Sequence, residues 1–75
     1  MLLLELRPTL AHQIQTALLS RVGRYVRDLE VFVADGGVIL RGLAFTYYAK
    51  QLAQHEAVRI TGLSVVANEI EVQRR

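Results

Sequence analysis

Val31-Phe32-Val33-Ala34-Asp35-Gly36-Gly37-Val38-Ile39-Leu40-Arg41-Gly42, residues 31–42, reads as two short strands folded back on each other. Across Val26 to Ala34, Leu29, Val31 and Val33 alternate with Asp28, Glu30 and Phe32, the period of a strand with one buried face. Asp35-Gly36-Gly37 supplies the turn, because aspartate and glycine tolerate the positive φ of tight hairpins. Val38 to Leu43 then returns antiparallel, with Val38 and Leu40 inward and Ile39 and Arg41 outward.

On either side of this hairpin the period lengthens to that of a helix. Upstream, Leu10, Ile14, Ala17, Leu18, Arg21, Val22 and Tyr25 recur at helical spacing behind Thr9, an N-cap candidate after Pro8. They predict a helix from residue 10 to about 23, with Gly23 near its end. Its other face, His12, Gln13, Gln15, Thr16 and Leu19, is expected to meet water. Downstream, Thr46 caps a second helix, about 47–60, whose stripe of Ala49, Leu52, Ala53, Ala57 and Ile60 is small enough for close packing. Gly62 suits the left-handed position beyond it. A third strand follows, Val66, Asn68, Ile70 and Val72 facing inward against Ala67, Glu69 and Glu71. The order αββαβ, with a helical crossover between the second and third strands, predicts an α+β two-layer sandwich. Both helices then lie on one face of a three-stranded sheet.

Seventy-five residues and 8.4 kDa allow one domain, here residues 9–73, between an N-terminal arm, residues 1–8, and a C-terminal tail, residues 74–75. Leu2, Leu4 and Leu6 alternate with Leu3, Glu5 and Arg7 in the arm, a weak strand pattern able to pair with a sheet edge or a neighbouring chain, or simply to fray. With 52% hydrophobic and 21% charged residues, the chain is too apolar for a disordered tail. The absence of cysteine excludes disulfides, thiolate catalysis and cysteine-based zinc sites. Glu5 breaks the opening leucines, no basic stretch precedes them, and no apolar run is long enough to span a bilayer, so a cytoplasmic location is expected.

Residues 31–42 resemble the strand, glycine turn and "V-x-L-x-G" second strand of the BON domain, the bacterial osmotic-shock and nodulation-related family. Gly62-Leu63-Ser64-Val65-Val66-Ala67-Asn68-Glu69-Ile70-Glu71-Val72 is similar to that family's closing "G-V-x-x-V-x-N-x-L-x-V", with Leu63 for the usual valine. With Ala53 on the second helix, the resemblance covers residues 10–73. It implies a non-enzymatic αββαβ module, often proposed to bind phospholipid or other hydrophobic surfaces.

Most of the matched residues serve the fold. Gly36 or Gly37 makes the turn, Gly42 is expected to let a helix approach the sheet, and Gly62 stops the second helix. Asn68, polar on an apolar face, must bond its amide, most simply to the backbone of an adjacent loop. Catalytic chemistry finds no support. His12 and His55 lack partners at metal-binding spacing, no phosphate loop lies between a strand and a helix, and the serines have no nucleophile context, so neither an enzyme nor a cofactor or metal is expected. A formal charge of +2, scattered arginines and the lack of a GxxG loop speak against KH-like nucleic-acid binding.

Two surfaces remain for binding. Tyr47, Tyr48 and Lys50 at the start of the second helix, with Leu19 and Arg24 of the first, suit an anionic membrane surface or a protein partner. On the outward sheet face, Phe32, Ile39 and Leu43 form an apolar patch that a homodimer would bury. Arg21 and Glu56 interrupt the inward stripes of their helices, and the expectation is an ion pair clasping one helix to the other.

Overall fold

A computed structural model describes residues 9–73. Helix α1 (Leu10–Val22) is followed by strands β1 (Val26–Ala34) and β2 (Gly37–Ala44), helix α2 (Tyr47–Thr61) and strand β3 (Ser64–Val72). Both helices begin as their capping residues require. The N–H of His12 donates to Thr9 Oγ1 at 3.0 Å and that of Ala49 to Thr46 Oγ1 at 3.1 Å, each meeting a donor the first helical turn leaves open. Gly62 ends α2 at a left-handed φ of 71°, and its N–H donates to the Val58 carbonyl at 2.8 Å.

The sheet has the order β1-β2-β3, antiparallel between β1 and β2 and parallel between β2 and β3. Ala34 pairs with Gly37, so the turn is Asp35-Gly36, and Gly36 takes its positive φ of 86°. Gly37 plays a different part: a Cβ there would run into the Ser64 carbonyl, so its bareness lets β3 start beside β2. Ile14, Leu18 and Val22 of α1 and Ala49, Ala53 and Ala57 of α2 join Val31, Val38, Leu40 and Ile70 in a single core cluster. Both helices therefore cover one face of the sheet and leave the other open. Fully buried side chains such as Leu18, Leu40 and Ile70 each contribute about 1.5–3 kcal/mol of transfer free energy.

Strict alternation fails at two places. In β1 the register shifts between Arg27 and Glu30, and Asp28 adopts a φ of 54°. Asp28 is thus the extra residue of a bulge, and Val26 and Leu29 both point inward across it. Val33, expected inside, is exposed near the hairpin end of the strand. In β3 a second shift, opposite Val38 and Ile39, turns Val66 outward and gives its inward place to Val65, which packs on the core. Tyr25 is also exposed rather than inward, because α1 stops at Val22 and the helical period no longer governs it.

Gly42 faces the β1 bulge, not a helix. A Cβ on it would lie 3.0 Å from the Arg27 carbonyl oxygen, 3.0 Å from Val26 Cγ1 and 3.3 Å from Leu29 Cα. The bulge and the glycine are coupled: one strand swells where its neighbour lacks a side chain. Replacing Gly42 with alanine is expected to destabilise the domain by about 1–3 kcal/mol, the usual cost of overpacking, measured by urea unfolding. An unchanged midpoint would show that the bulge relaxes freely.

Candidate functional site

Pairing of Val26 with Ala44, and of Ala44 with Val72, places the start of β1 and the ends of β2 and β3 at one pole of the sheet. The Gln73 N–H extends this register, donating to the Ala44 carbonyl at 2.7 Å. Tyr25 precedes Val26, and Phe45, Tyr47 and Tyr48 follow Ala44, so four of the five aromatic residues collect at this pole. All four are exposed, Tyr25 at 45%, Phe45 at 42%, Tyr47 at 63% and Tyr48 at 68%. The Tyr47 hydroxyl accepts from Gln51 Nε2 at 2.6 Å, which holds that ring along its own helix. Arg24 is exposed beside Tyr25, Lys50 lies in the first turn of α2, and Leu19 is exposed on α1. The sequence singled out Tyr47, Tyr48, Lys50, Arg24 and Leu19 but placed Tyr25 in the core. Gly23, read correctly as near the end of α1, already puts Tyr25 beyond the helix, where the helical period no longer places it.

Asn68 is the latch that fixes α2 over the sheet, although its partner is the helix and not a loop. Its Nδ2 donates to the Lys50 carbonyl and to Gln54 Oε1, each at 3.1 Å, while Oδ1 accepts from the Ile70 N–H at 3.2 Å. An equivalent contact guards the other edge of the sheet. Gln15, expected on the water side of α1, turns toward β1 and accepts from the Val31 N–H at 3.0 Å. Each edge strand thus has a backbone donor occupied by a side-chain carbonyl, which weakens it as a template for further strands.

The expected clasp forms in a looser way. Arg21 Nη1 is 3.9 Å from Glu56 Oε1, but Arg59 on the same helix approaches that oxygen to 2.9 Å through Nη2. Arg21 is half exposed, so the contact between helices lies at a wet rim and is the weaker of the two. The Arg59 hydrogen bond lowers the pKa of Glu56 first; partial burial opposes it, and the charges of Arg59, Arg21 and His55 lower it further.

On the open sheet face Arg41 Nε donates to Glu69 Oε1 at 2.7 Å, and its guanidinium carbon lies 5.1 Å from the centre of the Phe32 ring. The hydrogen bond and charge of Glu69 raise the Arg41 pKa further. Phe32 is exposed, whereas Ile39 and Leu43 are only half exposed. Asp28, Glu30, Glu69 and Glu71 line a groove beside them with Arg41 as the one basic residue in its wall.

The model of the BON domain family matches residues 8–74. This chain belongs to the BON domain family. The family is generally a non-catalytic module. No curated protein and no solved structure matches the chain. Within this BON domain the hairpin and the closing strand are framework, and the aromatic pole is what they support. No described helix is long and apolar enough to cross a membrane.

Two outcomes follow from the shared Glu56. Double-mutant cycles are expected to give a smaller coupling for Arg21→Met with Glu56→Gln than for Arg59→Met with Glu56→Gln. The reverse order would restore the clasp as the main contact. Because the folded pKa of Glu56 is depressed, its contribution to stability is complete above the ordinary carboxylate range and is lost as pH falls through the folded value. Glu56→Gln should therefore narrow the stability difference between neutral and acidic solution, read from thermal melts down to about pH 3.

Proposed function

We propose that this BON domain associates peripherally with an anionic phospholipid surface through its aromatic pole. The observation that supports this reading most is the gathering of Tyr25, Phe45, Tyr47 and Tyr48, all exposed, beside Arg24 and Lys50. Tyrosine suits the zone between headgroup and acyl chain because its ring is apolar and its tip is wet. Arginine and lysine beside such rings attract lipid phosphate while their stems cover apolar surface. Arg24 stands just past the C-terminus of α1 and Lys50 in the first turn of α2, so both helices present cations at the same end.

Self-association through Phe32, Ile39 and Leu43 is the competing reading, and charge weighs against it. Stacking two open faces brings Asp28, Glu30, Glu69 and Glu71 toward the same residues of a second copy. Arg41 and Arg27, which is exposed on β1 opposite Leu43, cannot offset all four, since Glu69 already holds Arg41. The sheet face therefore stays turned to water, away from the lipid.

Sedimentation with vesicles tests the proposal. Binding is expected on vesicles rich in anionic phospholipid, weak on neutral ones, and reduced by salt. Arg24→Gln and Lys50→Gln should each weaken it about fivefold, as roughly 1 kcal/mol per basic residue near the surface implies. Tyr47→Ser with Tyr48→Ser should abolish it, and Phe32→Lys with Ile39→Lys should leave it intact. Equal binding to neutral vesicles, or loss only in the Phe32/Ile39 variant, would overturn the proposal. Light scattering of the unmodified chain is expected to report a monomer of 8.4 kDa.

A further inference from the structure

The chain holds two aspartates and one asparagine, Asp28, Asp35 and Asn68. In each the side-chain carbonyl carbon is a potential target of the backbone nitrogen that follows, and the structure treats the three differently. Asn68 is locked: its amide donates to the Lys50 carbonyl and to Gln54 Oε1 and accepts from the Ile70 N–H. Asp28 precedes Leu29, whose buried side chain pins the backbone of the bulge. Asp35 is exposed and is followed by Gly36, where even an added Cβ would meet nothing within 4 Å. Ala34 pairs with Gly37, so the Gly36 nitrogen lies inside the turn and outside the strand ladder. Nothing crowds its approach to the Asp35 side chain, and glycine leaves it the widest choice of backbone angles.

We propose that Asp35-Gly36 is a site of spontaneous isoaspartate formation. The Gly36 nitrogen attacks the carboxyl carbon of Asp35, and the new C–N bond closes a succinimide ring. The amide hydrogen and the carboxyl hydroxyl leave together as water. Water then returns to one of the two ring carbonyls. Addition at the side-chain carbon breaks the new bond and restores aspartate; addition at the main-chain carbon breaks the original peptide bond and leaves isoaspartate. Composition and charge are unchanged, and no electrons are transferred. The product carries the Asp35 methylene in its main chain, so the turn is longer by one carbon. Gly37 has no room to move, since a Cβ there would run into the Ser64 carbonyl, and Val38 next to it is fully buried. The added carbon is therefore felt in the pairing of Gly37 with Ala34 and with Ser64, at the end of the sheet away from the aromatic pole.

Tryptic cleavage after Arg27 and Arg41 puts Asp28 and Asp35 in one peptide, residues 28–41, so each is a control for the other. The folded full chain is incubated at neutral pH and physiological temperature in water enriched in oxygen-18, then digested and mapped by mass spectrometry. A second form of this peptide is expected to accumulate with time, heavier only by one incorporated oxygen-18 and shifted in retention. Electron-transfer fragments should place its isoaspartate at residue 35. Asp35→Glu, which would have to close a larger ring, should abolish the second form, and Gly36→Ala should slow its appearance. The free peptide of residues 31–40 is incubated alongside as the unfolded reference. Isomerisation of that peptide with none at residue 35 of the folded chain would overturn the proposal, and so would isoaspartate at Asp28 in place of Asp35. The isomerised chain, separated from the parent, should unfold at a lower urea midpoint. An unchanged midpoint would overturn the placing of the added carbon against Gly37 and Ser64.

Discussion

The alanine face of α2 against the sheet is the constraint on which the rest of this domain depends. Ala49, Ala53 and Ala57 are essentially buried, and no larger side chain at these positions lets the helix axis come as near. Alanine contributes little apolar area itself, so most of the burial comes from Leu18, Leu40, Ile70 and the core valines. What the alanines provide is distance. With α2 this close, Asn68 reaches from β3 to the Lys50 carbonyl and Gln54, and the backbone of β3 is tied to the middle of the helix. The N-terminus of α2 then has one position, and the tyrosines at its first two residues stand at the pole of the sheet because of it.

Charge follows the two layers. Arg21, Arg24, Lys50 and Arg59 belong to the helices or their ends, where Glu56 is the only described carboxylate. Asp28, Glu30, Glu69 and Glu71 gather on the open sheet face, against Arg41 and the exposed Arg27 opposite Leu43. A net charge of +2 conceals this separation. Such a distribution makes the helices and the pole basic and the open sheet face acidic, and on the proposed function it is what would turn the pole toward an anionic surface. The same distribution discourages copies from stacking sheet to sheet.

Much of this architecture was legible in the sequence because its boundaries carry specific chemistry. Thr9, Thr46, Gly62 and Asp35-Gly36 each mark an element end through a hydrogen bond or a positive φ, and each does so in the structure. The errors lie where the period of two breaks. A bulge adds one residue, and nothing in Arg27-Asp28-Leu29 or Val65-Val66 announces it from one strand alone. It becomes visible only beside the partner strand, as Gly42 does when Arg27 and Leu29 are placed next to it. Tyr47 and Tyr48 were legible as exposed rings because they begin a helix outside its apolar stripe. Tyr25 was not, since its role depends on where α1 stops. Gln15 looked like a water-facing residue because the edge strand it serves lies sixteen positions away.

The chain contains no tryptophan, so one introduced indole reports its own surroundings. The most direct test of docking through the pole compares Tyr48→Trp with Phe32→Trp as anionic vesicles are added. The account predicts a blue shift of emission for the indole at position 48, as it enters the interface, and no shift for the indole on the open sheet face. A blue shift at position 32 with none at position 48 would contradict it.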